Sequence, residues 1–423
     1  MAQDINSFLV VESGRINYDI YERQQYSSPW ISQPRKVAWQ AGMGEIISNI
    51  MWERPYIDND GTPTGAEESA ALAAESWGAM SISAGGATGN CIPPVDDVKF
   101  SQTLRTTSLF QKAVHSPKFC VTDLLYAGKR EAQMRSVEWG LGDMVRLYWV
   151  RWNRDGFTKW SNKYVVEGSL TNYTDETDGY FFPPVAPTSR LTNGVLDHFY
   201  NLLMLEQGHR HSISVQNGKP CYGLITDQFT SRFLIRGDDA IREDFRYGKP
   251  DALLQPLGVT HTYNGFIHMI DDMPARFNFN NALASDSQSD NSASDYTDPW
   301  TEVPAHTLEV QADGSFRKEV NPSWLSAAYQ DSYIYVKDAY QLRVPESISG
   351  VSKAKFDSQK YMGEFKWQNV INLDEASDAY NPDGTMGRFR GVMKAGVEAI
   401  NPHVMFTIRH KVCGADLGLV DCA

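Results

Sequence analysis

The sequence is poor in the patterns that mark several classes of protein. Its 423 residues include five cysteines, which occur singly and form no C-x-x-C pair, so we expect reduced core thiols and neither a disulfide framework nor a zinc site. No run of 18 apolar residues is present, and the N-terminal letters MAQDINSF lack the cationic start and apolar core of a signal peptide. These absences predict a chain that is made and kept in a cytoplasm, without a membrane partner.

Basic residues are also in deficit. Thirty-nine Lys and Arg stand against 52 Asp and Glu, a formal net charge of −13, which is a poor match to a protein that grips the phosphate backbone of nucleic acids. The hydrophobic share of 42% and the charged share of 22% are those of an ordinary globular chain. Because single cores stop growing near about 250–300 residues, we expect more than one lobe.

The charge is divided unevenly along the chain. Between Arg54 and Lys99 there is no basic residue, and this segment carries seven acids and six glycines, a pattern typical of a long, flexible excursion such as a stretched hairpin. The seven acids are Asp58, Asp60, Glu67, Glu68, Glu75, Asp96 and Asp97. The next segment, 100–163, has eleven basic residues against five acidic ones, a net charge of +6. Two neighbouring segments therefore have opposite charge.

A long helix is predicted within the basic segment. Apolar and small residues recur there at the three- and four-residue spacing of a helix. They are Val121, Leu125, Gly128, Ala132, Val137, Leu141, Met144 and Tyr148. Thr122 or Asp123 can cap the start, and the letters NRDG at 153–156 are a stop signal. We therefore expect one helix of about 30 residues over 121–152, about 45–50 Å long.

Three residues inside this helix carry further expectations. Gly140 and Gly142 should each weaken it by about 1 kcal/mol relative to alanine, and they favour a bend. Glu138 is expected at the surface, as an ion-pair partner of Arg130 or Arg135.

Strands and shorter helices are predicted on both sides of the long helix. Residues 1–50, with two X-Pro breaks, are typical of an extended arm, and the Ser- and Asp-rich stretch 284–299 is typical of a surface loop. Alternating apolar and polar residues predict strands at 163–170, 179–185, 332–344, 365–373 and 402–412, and a hairpin at 258–271. Helical spacing and capping residues predict a helix from about Leu191. They also predict a strand followed by a helix, capped at Thr226 or Asp227, within 220–236. Strands that flank helices at both ends favour an α+β fold.

No pattern of residues in the sequence indicates an active site. His209 and His211 lack further ligands at zinc spacing, and the acids near Asp286 and Asp290 lack the spacing of a calcium loop. No nucleophile elbow or phosphate-binding loop occurs. We expect no catalytic residue, no metal and no cofactor. The aromatic share of 12% leaves an enzymatic alternative open, a glycoside hydrolase with two carboxylates in an aromatic cleft or another aromatic-cleft enzyme.

The order of these parts resembles a known family. The chain resembles the major capsid proteins of tailed bacteriophages, which have the Hong Kong 97-type fold. Four parts carry the resemblance, in this order: a pliable arm, a hairpin excursion that contains glycines, one very long helix (VTDLLYAGKREAQMRSVEWGLGDMVRLYWVRW), and a lobe closed by C-terminal strands. The letters GKPCYGLITDQFTSRFLIRGDDAIREDFRYG resemble the family's strand-then-helix element in the axial domain. The resemblance covers nearly the whole chain. It implies an N-arm at 1–50, an extended E-loop at 51–105, a peripheral domain with the spine helix at 106–190, an axial domain at 191–340 with an acidic insertion near 284–299, and C-terminal strands at 341–423.

The resemblance implies a structural role without catalysis. Such a subunit would self-assemble through hexamers and pentamers into an icosahedral shell that encloses double-stranded DNA without sequence-specific binding, in a virion assembled in the host bacterial cytoplasm. Scaffolding, portal and decoration proteins would be candidate partners. A phage tail protein and an encapsulin-type shell remain alternatives, because a fold does not fix a function.

The resemblance also implies an interface. In the family, the E-loop of one subunit lies across the peripheral domain of its neighbour, and here an acidic excursion would meet a basic helix. The interface residues would be Asp58, Asp60, Glu67, Glu68, Glu75, Lys129, Arg130, Arg135 and Arg146. Some relatives cross-link their shells through an E-loop lysine. We expect no such cross-link, since no lysine lies between Arg54 and Lys99.

Overall fold

The computed structural model divides the chain into two compact units, residues 1–47 with 107–423 and residues 48–106. The described residues are 28–39, 46–52, 56–58, 97–99, 102–108, 110–120, 127–166, 173–175, 179–205, 212–216, 219–236, 259–263, 265–271, 273–286, 298–312, 316–345, 366–369 and 386–412. Strands and helices occur together in the larger unit, and the predicted α+β class is confirmed.

The helices within the described residues are few, and one is far longer than the rest. They are α1 (Pro29–Ser32), α2 (Ala127–Trp160), α3 (Asn193–Leu205), α4 (Gln228–Arg236), α5 (Asn281–Asp286) and α6 (Pro322–Leu325), with a 3₁₀ turn at Pro402–Val404.

The strands are numbered in chain order. The first eleven are β1 (Arg35–Trp39), β2 (Ile46–Trp52), β3 (Tyr56–Asp58), β4 (Asp97–Lys99), β5 (Gln102–Ser108), β6 (Phe110–His115), β7 (Phe119–Cys120), β8 (Asn162–Val165), β9 (Tyr173–Asp175), β10 (Gly179–Phe181) and β11 (Ser214–Gln216). The others are β12 (Lys219–Thr226), β13 (Val259–Tyr263), β14 (Phe266–Ile270), β15 (Arg276–Phe279), β16 (Trp300–Val303), β17 (His306–Val310), β18 (Phe316–Val320), β19 (Tyr329–Tyr335), β20 (Tyr340–Pro345), β21 (Lys366–Asn369), β22 (Met386–Ala399) and β23 (Phe406–Lys411).

The smaller unit is built from strand pairs whose members are far apart in sequence. β3 runs antiparallel to β4, with Tyr56 opposite Lys99 and Asp58 opposite Asp97, and β2 pairs with β5. The acidic stretch between β3 and β4 lies outside the described residues. The two pairs join the sequence that precedes this stretch to the sequence that follows it.

A six-stranded sheet in the larger unit supports the long helix. Its order is β1-β20-β22-β21, and β6 and β7 also pair with β22. β1 is parallel to β20, whereas β22 is antiparallel to its neighbours. The Tyr340 hydroxyl of β20 donates a hydrogen bond of 2.8 Å to the Asn153 carbonyl of α2, and the rings of Phe110 and Trp152 lie 4.2 Å apart. These contacts fix α2 on the sheet.

The long helix is confirmed, but the predicted stop is wrong. α2 has 34 residues, about 51 Å at 1.5 Å per residue, and the letters NRDG lie inside it. Asn153 is fully buried and donates through Nδ2 to the Trp30 carbonyl at 2.8 Å, and Gly156 packs against Val397 of β22. Tertiary contacts at these positions outweigh the weak helix propensity of Asn, Asp and Gly.

Part of the predicted N-terminal arm is packed into the core. Ser28 caps α1 by accepting a hydrogen bond from the Trp30 amide at 3.3 Å, and Pro29 occupies the first helical position. Trp30 is fully buried, with its ring 5.6 Å from that of Phe157 on α2. Pro29 therefore begins a helix and does not interrupt regular structure. The first position of a helix is one that proline favours. Residues 1–27 lie outside the described residues.

A nine-stranded sheet forms the second layer of the larger unit. Its main order is β13-β14-β12-β19-β15-β16, with β11 on β12 and with β23 joining β19 to β8. α3 packs on one part of it through Phe199, whose ring lies 4.9 Å from Tyr164 and 5.4 Å from Phe406. Because buried residues of both sheets belong to one apolar cluster, the larger unit has a continuous core.

Two local predictions within this sheet are confirmed. β12 leads into α4, and the Asp227 carboxylate caps that helix by accepting from the amides of Phe229 at 3.3 Å and Thr230 at 3.0 Å. β13 and β14 form the predicted hairpin. Gly265 in its turn has φ +81°, and a Cβ there would collide with the Tyr200 ring, so glycine is required.

Candidate subunit interface

α2 presents one buried side and one exposed side. Met134, Leu141 and Val145 are buried, whereas Arg135 is exposed and the Trp139 side chain is 63% exposed. The buried residues recur every three to seven positions, so they form one stripe that faces the core.

The exposed side of α2 carries arginine and tryptophan together. Arg146, which is half-buried, lies three turns after Arg135 and on the same side, about 16 Å further along the axis. Trp139 and the exposed Asp143 lie between them. Exposed tryptophan and arginine are the residues that most often anchor protein–protein interfaces, so this side of α2 is the first candidate interface.

The remaining sequence-predicted interface residues have a limited description. Lys129 and Arg130 belong to the first turn of α2, and Asp58 ends β3, but their side chains lie outside the described residues. The acids Asp60, Glu67, Glu68 and Glu75 lie outside them altogether. The contact between these acidic residues of one subunit and the basic residues of α2 in its neighbour therefore stays a prediction.

The expectation for Glu138 is wrong. Its side chain is 5% exposed, so it does not lie at the surface. Glu138 follows Met134 by four residues and precedes Leu141 by three, and these spacings place it on the buried stripe of α2. The sequence prediction considered its charged neighbours and not its position on the helix.

The hairpin of β17 and β18 is a second exposed surface. It pairs with no other described strand. Leu308 is 70% exposed and Val310 is 63% exposed, and Val320 lies on the same face of the pair. The opposite face holds the exposed ion pair of Arg317 and Glu319, at 3.2 Å. An isolated two-stranded ribbon is marginally stable in water, so an apolar face of this kind gains from being covered.

The hairpin lies beside the exposed side of α2. His306 at its base is close enough to Asp143 of α2 for the carboxylate to act on its pKa, although burial and the charge of Lys318 lower that pKa overall. The base of the hairpin therefore lies near the exposed Asp143 of α2.

A buried serine–histidine contact proves to be structural. The Nδ1 atom of His410 lies 2.9 Å from the Lys411 carbonyl, which requires a proton on Nδ1, and Nε2 therefore accepts from the Ser332 hydroxyl at 2.8 Å. Thr226 completes the chain at 2.7 Å from Ser332. Ser332 and His410 are both fully buried, and burial lowers the pKa of His410. A substrate cannot reach this serine, so the contact stabilises the sheet.

Most of the other chemical candidates lie outside the described residues. No group of three His, Cys, Asp or Glu side chains among the described residues could hold a metal ion. His209, His211 and Asp290 lie outside those residues, and Asp286 ends α5. Cys221 is buried with a free thiol, and Cys120 is half-buried with a free thiol. No helix in the described part of the chain is long and apolar enough to cross a membrane.

Comparisons with known proteins give structural neighbours only. No family model and no curated protein matches the chain. Among solved structures, the chain is similar to the capsid of Ralstonia phage GP4, with 10% identity, 92% of each chain covered and a TM-score of 0.44. It is also similar to the acid-stable capsid of Helicobacter pylori bacteriophage KHP30, with 8% identity, 91% of this chain and 92% of that chain covered, and a TM-score of 0.44. A virus-like particle from Pyrococcus furiosus is similar at 8% identity, over 94% of this chain and 98% of that chain, with a TM-score of 0.35.

Proposed function

We propose that this chain is a major capsid protein of a tailed phage, a structural subunit that self-assembles through hexamers and pentamers into an icosahedral shell around double-stranded DNA. The observation that carries the proposal is the exposed side of α2, where Arg135, Trp139 and Arg146 stand on a rigid 34-residue helix. The role is that of a building block, without catalysis and without a cofactor.

Two further features support assembly. The hairpin of β17 and β18 exposes Leu308 and Val310 beside that helix, and covering apolar surface yields roughly 25 cal/mol per Å². The segment between Arg54 and Lys99 has a net charge of −7, which complements the +6 of residues 100–163. Such complementarity steers encounter and penalises wrong registers more than it adds affinity, and weak contacts suffice when a closed shell repeats them.

We propose the following division of the subunit. Residues 48–106 form a unit of their own, which supports the proposed E-loop at 51–105. We assign α2 and the six-stranded sheet to the peripheral domain and the nine-stranded sheet to the axial domain. Scaffolding, portal and decoration proteins are proposed partners, and the virion is the proposed location.

The net charge of −13 fits a shell that confines DNA without binding it, since a strongly basic lining would hold the genome during packaging. The encapsulin-type alternative shares the shell and differs in its content. Particles purified from an infected host would contain nuclease-protected DNA if the chain is a phage capsid protein, and they would lack it if the chain forms a compartment for cargo protein.

Electron microscopy of the purified full-length protein tests the proposal. Closed shells, or rings of five and six subunits, are the expected result. Tubes or fibres would favour a tail protein, and a protein that stays monomeric at every concentration and salt tested would overturn the proposal.

A further inference from the structure

A cavity of about 310 Å³ opens beside the second half of α2, and the proposed shell function makes no use of it. Asp155, Lys159 and Asp298 are exposed at its mouth, and the half-buried Thr158 lies with them. Its volume is at the small end of the range for ligand-binding pockets.

The walls of the cavity are aromatic. Phe182, Phe277 and Trp300 line it, and each has its ring next to the guanidinium of Arg409, at 3.7, 3.7 and 4.4 Å. Arg409 itself is 2% exposed, and both oxygens of Asp331 accept hydrogen bonds from it at 2.7 and 2.8 Å. The deep end is therefore held rigidly by a clamped ion pair.

The carboxylates that line the cavity already accept hydrogen bonds from other residues of the protein. Arg154 donates to Asp155 at 3.2 Å and to Glu302 at 2.8 Å, and Asp331 is engaged by Arg409. Asp298 accepts from the Trp300 backbone amide at 2.9 Å. The lining holds four cationic and four anionic side chains, so its formal charge is balanced and a ligand of high charge is disfavoured.

The hydrogen-bond donors are less fully used. The Lys163 ammonium, 4% exposed, has three N–H groups and donates to two carbonyls, those of Lys159 at 3.2 Å and Ser161 at 3.3 Å. The Tyr333 hydroxyl and the Trp300 indole N–H make no hydrogen bond to any described residue. Tyr333 is 1% exposed and Trp300 is 7% exposed. Buried donors without an acceptor are costly, so these donors would gain from an acceptor that a ligand supplies.

We infer that this cavity is a binding site for a small aromatic monocarboxylate, whose carboxylate accepts from Lys163, Tyr333 and Trp300 while its ring packs on the aromatic walls. A carboxylate supplies two acceptor oxygens and no donor, which matches the unused donors. Its single charge faces the ammonium, whose charged neighbours are Arg409 and the carboxylate of Asp331, and that carboxylate already accepts two hydrogen bonds from Arg409.

Benzoate is the probe that tests the site, measured by calorimetry on the full-length protein at pH 6. Burial lowers the pKa of Lys163 to about 7, so the amine is mostly charged at that pH. Benzyl alcohol keeps the ring without the charge, and acetate keeps the charge without the ring. Saturable binding of benzoate, at least tenfold tighter than of either analogue, is expected from a charge-assisted hydrogen bond on an apolar wall.

Variants distinguish binding of benzoate in this cavity from non-specific binding elsewhere on the protein. Lys163→Met should weaken benzoate binding about tenfold or more, and Tyr333→Phe should weaken it severalfold while the fold is retained. Lys394→Met is the matched control, because Lys394 is exposed on β22 and does not line the cavity, and it should change the affinity less than twofold. Equal binding of all three probes, no saturable binding, or full affinity in both Lys163→Met and Tyr333→Phe would overturn the inference.

Discussion

Gly156 of α2 and Val397 of β22 approach so closely that a Cβ atom built on the glycine would lie 2.5 Å from Cγ1 of the valine. The helix can therefore rest on the six-stranded sheet only if position 156 has no side chain. The Cβ of Val397 would itself be 2.9 Å away, so rotation of the valine would not relieve the clash.

The first prediction is that Gly156→Ala lowers the free energy of unfolding by up to about 2 kcal/mol, because overpacking costs about 1–3 kcal/mol and alanine recovers about 1 kcal/mol of helix propensity. Gly140→Ala is the matched control. Nothing lies within 4 Å of a Cβ at Gly140, so this change should stabilise by up to about 1 kcal/mol. Chemical denaturation measures both, and equal effects of the two changes would contradict the assigned contact.

The second prediction concerns Lys163 and pH. In the folded chain its pKa is lowered from the ordinary lysine value of 10.5 to about 7, first by burial and then by Arg409. Between about pH 7 and 10.5 the unfolded chain holds a proton that the folded chain has released, so the free energy of unfolding rises with pH in this window.

Lys163→Met should remove this dependence. The variant should unfold at a higher temperature than the wild type at pH 7, and the difference should shrink toward pH 10, as thermal unfolding followed by circular dichroism would measure. Lys159→Met, at an exposed position, is the control and should leave the slope unchanged. An unaltered slope in Lys163→Met would show that Lys163 stays charged in the folded protein.

The third prediction concerns the buried pair of Arg409 and Asp331. Arg409→Met should destabilise by about 3–5 kcal/mol because it leaves a buried carboxylate without its partner. Arg409→Met with Asp331→Asn should cost less than Arg409→Met alone, since no charge is then stranded. Arg317→Met breaks an exposed pair with Glu319 and should cost under about 1 kcal/mol. A double variant as unstable as the sum of its parts would contradict this reading.

The fourth prediction tests the charge complementarity proposed for assembly. Reversal of Glu67, Glu68 and Glu75 to lysine should reduce shell yield, with the largest loss at low salt, where charge repulsion is least screened. Adding Arg135→Glu and Arg146→Glu should recover part of the yield. The control is Arg317→Glu with Glu319→Arg, which exchanges the charges of an exposed ion pair on the face of the β17–β18 hairpin opposite Leu308 and Val310. Sedimentation of the assembled fraction measures the yield, and reversal without any effect would count against the proposed contact.

Features set by neighbouring residues were predictable from the sequence. Asp227 caps α4 through amides two and three residues away, and Gly265 turns the β13–β14 hairpin, so local signals were enough. The long helix was predictable because its period extends over many turns.

Features set by distant partners were not predictable. Asn153 and Gly156 resemble a helix stop, yet they are held by Trp30, 123 residues before Asn153, and by Val397. The cavity draws residues from α2, β8, β15, β16, β19 and β23. The one local signal for Lys163 is its spacing of two residues from the buried Val165 in β8. Residues two apart in a strand lie on the same face, so Lys163 also faces inward.

A reconstruction of assembled particles by cryo-electron microscopy would show which surfaces of the subunit meet in the shell. We expect a closed icosahedral shell in which the 51–105 segment of one subunit crosses the exposed side of α2 of its neighbour, near Arg135 and Arg146. A shell in which that side of α2 contacts no other subunit would contradict the proposed interface. The absence of any closed assembly would contradict the proposed function itself.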